Sequence, residues 1–422
     1  MKGITASTDR RFMECAALLL GLSLGTNVMY LFTIGSTHFV VSEIFSAVLF
    51  VIFLLLKRID INRIYRTLQP SFVLFCLWIL FSAICAYATF LSANMMYRYV
   101  VGVIAFLISC TTLIDTIVLF PYRRKIAAGI GGAVLANGCI CVLQYIAYHS
   151  GRDFDILYRL FPQSNFHLNV YNFTAQGLFL EPSHMNQFLA STVAIWLGLC
   201  WKEKVNNWLV LILALICCIL STSGTSMVAL VGIGVFSLVS TPIHRRVRKR
   251  TVIVFLTAMV LVLGFIMYAN KSNDMQELLS NVGTYITLAF EGSNVTDESN
   301  APRLLAMTET LKLIPQNPLG CGWNMVHTLL EQSTILVTAS AFSDIIELVL
   351  ELGVVGAGFY VFLYLKLMFS CWRIRSREAL GTMTALLCTL TVAFLADYAI
   401  NPCIMMVLGL GMCYARRYDS EG

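Results

Sequence analysis

One feature dominates the sequence: apolar runs of about 17–25 residues recur from end to end. A helix of that length crosses the roughly 30 Å hydrocarbon core of a bilayer. Inside lipid each backbone N–H and C=O must find a partner within the protein, and a helix supplies one within a single segment. Twelve spans are expected, near 14–34, 39–56, 70–91, 99–120, 126–148, 185–201, 206–221, 225–241, 251–269, 341–367, 379–397 and 401–415. The 422 residues are 58% hydrophobic and only 12% charged, which excludes a string of soluble domains. No small-residue cleavage site follows the first run, so it is expected to be a retained span and not a signal peptide. The expected fold class is an all-α polytopic membrane protein.

Lys and Arg set the orientation. Of the 29, 23 fall in one set of connections, around residues 2–11, 57–66, 123–125, 202–204, 245–250, 366–377 and 416–417. The other six are Arg98, Arg152, Arg159, Lys271, Arg303 and Lys312. The richer set is expected to be cytoplasmic, with both termini inside. The net charge of +6 is then a topology signal and gives no reason to expect nucleic acid. Two long connections fall outside. They divide the chain into spans 1–5 (1–148), a first outer loop (149–184), spans 6–9 (185–269), a second outer loop (270–340), and spans 10–12 with a tail (341–422). The cytoplasmic loops leave no room for a nucleotide-binding domain and hold no Gly-rich phosphate loop. Chemistry is therefore expected at the outer surface, where nucleotides are absent. That leaves a transporter, or an enzyme whose substrate carries its own activation. Thirteen of the 14 cysteines lie in or beside apolar runs, where Cys acts as a small hydrophobe. Cys321 stands alone in a long loop, and no Cys/His spacing suits zinc.

Five stretches carry polarity where a span begins or a loop turns. GLFLEPSHMNQFLA (177–190) sets Glu181, Pro182, Ser183 and His184 before the sixth span. Pro suits a first helical turn and an acid suits the positive helix end. Asn186 and Gln187 carry polarity further in, where polar groups face a cavity or a partner. Ser221–Ser226 is a hydroxyl-rich turn. Arg303 opens a stretch with apolar Leu304, Met307, Leu311 and Ile314, the spacing of a helix lying on the membrane surface. A guanidinium there suits a phosphate. Asn317-Pro318-Leu319-Gly320-Cys321-Gly322 is a turn. Ser340, Asp344, Glu347 and Glu351 share one face of the tenth span. Such a stripe fits an ion pathway or the polar wall of an active site.

Together these segments resemble the bacterial O-antigen and capsule repeat-unit polymerases, within the wider O-antigen polymerase and ligase superfamily. The likeness rests on GLFLEPSHMNQFLA, LSTSGTSMVALVGIGVFSL, APRLLAMTETLKLIPQNPLGCGWN and SAFSDIIELVLELGVVGAGFYVF, in that order, over about residues 165–365. The resemblance implies a GT-C-like glycosyltransferase of the bacterial inner membrane, facing the periplasm. It would move a growing glycan from a polyprenyl diphosphate onto the next lipid-linked repeat unit, with no metal, nucleotide or other cofactor. Arg303, Glu181 and His184 are then the catalytic candidates: Arg303 for developing diphosphate charge, Glu181 or His184 as base. Arg152, Arg159, Asn317, Gly320, Gly322, His327, Asp344 and Glu347 are the substrate-binding candidates. Expected partners are lipid-linked oligosaccharides and the bilayer, with a chain-length regulator and a flippase as further candidates and no nucleic acid. Ligases of the superfamily typically carry a His-Asn pair before the tenth span. Here that place reads Ala341-Phe342-Ser343-Asp344, and His327 lies too early to replace it. This departure favours polymerase over ligase. A lipid-linked glycan flippase or other carrier is the rival from a different class.

Overall fold

The structure is a computed structural model. It describes residues 2–26, 30–34, 37–89, 93–151, 175–179, 182–200, 205–221, 224–240, 310–326, 329–330, 343–395 and 401–421. The expected ninth span and most of both outer loops lie outside the described residues.

Helix α1 (Lys2–Ser23) leads to a hairpin of β1 (Tyr30–Ile34) and β2 (Thr37–Val40). There follow α2 (Val41–Leu55), the short α3 (Ile61–Thr67), α4 (Pro70–Thr89), α5 (Ala93–Leu119) and α6 (Arg123–His149). Then come α7 (Pro182–Cys200), α8 (Val205–Leu220), α9 (Gly224–Ser240), α10 (Asp344–Ile374), α11 (Arg377–Leu395) and α12 (Pro402–Glu421). The chain is an apolar membrane protein, and its described residues are overwhelmingly helical. By length and apolar character, two described stretches qualify as spans, Met96–His149 and Asp344–Ile374. The first of these runs through α5 and α6 together. The bent pair Ile61–Thr67 and Pro70–Ile84 adds a third. This measure does not establish the number twelve.

Two expectations need correction. The first span was expected at 14–34, but α1 stops at Ser23. Beyond it Tyr30, Phe32, Thr33 and Ile34 are aromatic or β-branched and favour a strand. They pair antiparallel with 37–40, Thr33 opposite His38 and Ile34 opposite Thr37. The end of α1 is held by α6, where Asn137 Nδ2 donates to the carbonyl of Gly25 (2.9 Å). The tenth span is the second correction. Within α10, Gly353 has φ 68° and ψ 176°, so the helix is broken there.

The break is filled from the turn at 317–322. The N–H groups of Cys321 and Gly322 donate to the carbonyls of Leu350 and Glu351, each at 2.9 Å. The Trp78 indole N–H, from α4, donates to the carbonyl of Leu352 (2.6 Å). A break leaves such carbonyls without their helical partners, and these three donors take those places. Asp344 lies within electrostatic reach of Tyr360 and Tyr364. In a straight helix it would stand about 24 and 30 Å from them. The first half of α10 therefore folds back beside the second.

Helices α7 and α11 pack antiparallel through small residues. A Cβ on Gly198 would stand 3.0 Å from the carbonyl oxygen of Arg377, and one on Gly381 2.6 Å from that of Ala194. Thr389 Oγ1 meets Ser191 Oγ at 3.3 Å in the same register. Close backbone approach through small side chains is how helices pack where lipid gives no hydrophobic drive between them. On the other side of the bundle, α2 and α5 are joined by buried carboxylates. Ser109 Oγ donates to Glu43 Oε1 (3.0 Å), and Ser46 Oγ to Asp115 Oδ2 (2.9 Å).

Among the described arginines, all but Arg98 lie toward one end of the bundle. Arg123 Nε donates to Glu378 Oε2 (2.8 Å) and Arg124 Nη2 to Glu378 Oε1 (3.1 Å), joining the starts of α6 and α11. The Tyr414 hydroxyl donates to the same carboxylate (3.3 Å) and brings in α12. Burial works to raise the Glu378 carboxyl, but the hydrogen bonds and charges of Arg123, then Arg124, outweigh it and hold it below its ordinary value. A lowered carboxyl contributes its stability above the unfolded value and loses it as pH falls through the folded one. The detergent-solubilised protein should therefore lose thermal stability as pH drops below the ordinary glutamate value of 4.5. Glu378→Gln should flatten that acid limb and cost about 1.5–3 kcal/mol at neutral pH. An unchanged acid limb in the variant would remove this ion pair as its cause.

Gly353→Ala should destabilise strongly. Its φ is strained for any side chain, at about 1–3 kcal/mol. The new Cβ would also stand 2.6 Å from the carbonyl oxygen of Pro318. Gly358→Ala, with nothing within 4 Å of its Cβ, is the matched control. Thermal unfolding midpoints of the two should separate clearly, and equal midpoints would count against the interlock.

Candidate functional site

The segments that stood apart in the sequence meet in pairs. Pro182 starts α7, and Phe179 just before it is fully buried against Phe188, with ring centroids 5.5 Å apart. Asn186 Nδ2 donates back to the carbonyl of Pro182 (3.0 Å) and across to Ser221 Oγ (2.7 Å). Thr225 Oγ1 donates to the carbonyl of Ser183 (3.4 Å), and the N–H of Ala175 to the carbonyl of Leu220 (2.9 Å). The hydroxyl turn between α8 and α9 is thus docked on the start of α7. The helix start and the turn form one polar unit.

Two residues overlooked in the sequence hold the approach to it. Gln144 Oε1 accepts from the N–H groups of Gln176 (3.2 Å) and Gly177 (3.1 Å). Asn137 Oδ1 accepts from the N–H of Leu178 (2.7 Å). Both are buried amides on one face of α6, seven residues from each other, or about two helical turns. Their spacing in an otherwise apolar span was the available signal. They set the backbone that runs into Glu181, which itself lies outside the described residues. His184 lies half-buried in the first turn of α7.

The second pair of segments is the turn at 317–322 with the broken α10. Gly320 (φ 93°) and Gly322 (φ 111°) take up conformations that favour glycine, and a Cβ on Gly320 would overlap the carbonyl of Glu351. Asn317 Nδ2 donates to the carbonyl of Leu313 (3.1 Å). Beyond the turn, the N–H of Trp323 donates to Ser82 Oγ (3.1 Å) and Asn324 Nδ2 to the carbonyl of Arg98 (3.1 Å). Glu351 Oε1 accepts from the N–H of Val326 (3.4 Å). This strip of loop is therefore pinned to α4, α5 and α10. Of the acidic stripe, Asp344 and Glu351 are buried and Glu347 is half-buried. Cys321, the lone cysteine of the long outer loops, is fully buried.

Helix α11 touches both pairs. Ser343 Oγ donates to the carbonyl of Phe394 (3.1 Å). From the contact of Ser191 with Thr389, five residues back along α7 correspond to five residues forward along antiparallel α11. Asn186 and Gln187 thus lie at the depth of Phe394, and so of Ser343 and Asp344. That depth is about 25 Å along α11 from its basic start, near the opposite end of the bundle. Asn186 Oδ1 and Gln187 Oε1 are buried there with no hydrogen-bond partner in the described residues. Buried acceptors without partners mark a place for water or a polar ligand. Arg152, Arg159, Glu181, Arg303 and His327 lie outside the described residues.

The fold and these residues define a helical membrane protein with polar side chains of two segments at one depth, remote from the ion pairs of Arg123 and Arg124. Residues 209–361 match the family model described as O-antigen ligase. The matched stretch takes in α8, α9, the turn at 317–322 and the broken α10 as far as Val361. Over that stretch, which is less than half of the chain, the protein is similar to the O-antigen polymerase and ligase superfamily. No curated protein matches the chain.

Burial gives a labelling prediction. An impermeant maleimide should leave Cys321 unmodified in folded protein and reach it only after denaturation. Rapid labelling of Cys321 in intact membranes would show that the turn is not docked on α10.

Proposed function

We propose that the chain is a glycosyltransferase that polymerises polyprenyl-diphosphate-linked repeat units on the periplasmic side of a bacterial inner membrane, with both termini cytoplasmic. The observation that carries this reading is the shared depth of Asn186 and Gln187 with Ser343 and Asp344 along α11, beside a family match over the adjoining helices. Sugars offer hydroxyl donors to orphan acceptors, and Asn186 Oδ1 and Gln187 Oε1 are such acceptors. A lipid diphosphate is already a good leaving group, so transfer needs a base for the acceptor hydroxyl and a cation for the leaving charge. Glu181 or His184 is the candidate base, and Arg303 the candidate cation. Asp344 and Glu347 are proposed to bind sugar hydroxyls, Arg152, Arg159 and His327 to bind substrate from the loops. Asn317, Gly320 and Gly322 are proposed to act on substrate only through the turn they build. The expected partners remain a chain-length regulator and a flippase. The family description favours one second reading, ligation of finished glycan to a lipid acceptor. The absence of a His-Asn pair before Asp344 supports polymerisation instead.

The glycan profile of a deletion strain separates these. A single repeat on the acceptor supports polymerase, and free polymer left on its lipid carrier supports ligase. Lipid-linked repeats trapped in the inner leaflet would favour a flippase. Arg303→Ala should abolish polymer at normal protein level. The loss of a donor to developing charge is worth about 2.7–4 kcal/mol, roughly a hundred- to thousand-fold in rate. Arg303→Lys should recover part of it. Full polymer yield from the alanine variant would withdraw Arg303 from the mechanism.

A further inference from the structure

At the arginine-rich end, the first half of α1, the α2–α3 connection, α3 and the end of α5 line an open cavity of about 360 Å³. That is large enough for a small ligand. Arg10, Arg58 and Arg63 line it together with Asp9 and Asp60. Arg58 pairs with Asp9, and Arg10 with Glu14 at 3.0 Å. Asp60 Oδ1 accepts from the N–H of Arg63 (3.2 Å) and so caps α3. The Arg63 carbonyl accepts from Arg416 Nη1 (3.2 Å), which anchors α3 on α12. The Arg63 guanidinium itself has no hydrogen bond or ion pair among the described residues, though its backbone is held at both ends.

The other walls are apolar: Met13, Ile64, Ile117 and Val118. Helix α3 meets α4 at 95°, so α3 lies across the end of the bundle. Next to the cavity Leu55, Ile61 and Tyr65 are 76–77% exposed. Apolar side chains exposed beside arginines, on a helix lying across the bundle end, belong at the lipid headgroup boundary. A cavity there, charged on one wall and apolar on another, suits an amphiphile. Its charge is mixed: three guanidinium groups face two carboxylates. A bare anion would meet Asp9 and Asp60, whereas a headgroup with both a phosphate and an ammonium satisfies both signs.

We propose that this cavity binds a phosphoethanolamine headgroup, taken from a phospholipid of the leaflet at the arginine-rich end. The phosphodiester lies on Arg63 and Arg58, the ammonium on Asp60, and the glycerol on Met13, Ile64 and Ile117. Basic pockets between helix ends are suited to headgroups in this way. The site is separate from the polar residues at the opposite end of the bundle and independent of what they transfer.

Native mass spectrometry tests it on the full chain released from nanodiscs holding equal phosphatidylethanolamine, phosphatidylglycerol and phosphatidylcholine. The unmodified protein should retain phosphatidylethanolamine above the other two. Arg63→Gln should lower that retention roughly tenfold or more, the worth of one charge-assisted contact. Asp60→Asn still caps α3; it should keep lipid but lose the preference for phosphatidylethanolamine over phosphatidylglycerol. Arg66→Gln, outside the cavity, should change neither. Unaltered retention in Arg63→Gln, or phosphatidylglycerol retained as well as phosphatidylethanolamine, would overturn the proposal. So would inorganic phosphate raising thermal stability in detergent as much as the lipid does, because the site would then belong to soluble phosphate.

Discussion

Three carbonyls released by one glycine organise the polar end of this protein. At Gly353 the helix α10 breaks, and Leu350, Glu351 and Leu352 need new donors. In a membrane an unsatisfied carbonyl costs several kcal/mol. The donors come from Cys321, Gly322 and Trp78, so the break and the turn require each other. From that interlock follow the docking of residues 323–326 on α4 and α5, the burial of Cys321, and the return of Asp344 toward Tyr360 and Tyr364.

Helix α11 turns this local device into a site. Its small residues let α7 approach closely, which places Asn186 and Gln187 level with Ser343. Its first turn carries Glu378, which ties the starts of α6 and α11 to Tyr414 of α12. One helix thus carries an ion-pair lock at one end and a polar wall at the other. The separation suits a membrane protein. Charge is cheap where water is near, and polarity deeper in the bundle survives only where backbone or side-chain partners surround it.

Much of the candidate site was legible in part. Pro182 does begin a helix, and the turn at 317–322 does use its glycines at positive φ. No local pattern signals that the hydroxyl turn docks on the start of α7, because Asn186 and Ser221 are 35 residues apart. Asn137 and Gln144 stand singly in an apolar span, yet they hold the backbone of 176–178. The acidic stripe was seen, but on a straight helix. A single glycine in an apolar run does not announce a break, since Gly is common in membrane helices.

What the sequence determined by itself was the material of the fold: apolar runs long enough for lipid, most of the Lys and Arg gathered in one set of connections, and the order of the polar segments. Those follow from composition and spacing, and solvent alone enforces them. The tertiary structure decided where α1 stops, that α10 folds back at Gly353, and which polar groups share a depth. These depend on donors supplied by residues distant in sequence, such as Trp78 to Leu352 and Ser343 to Phe394. Only a folded chain brings such donors and acceptors within 3 Å or so of one another, so no local pattern carries them.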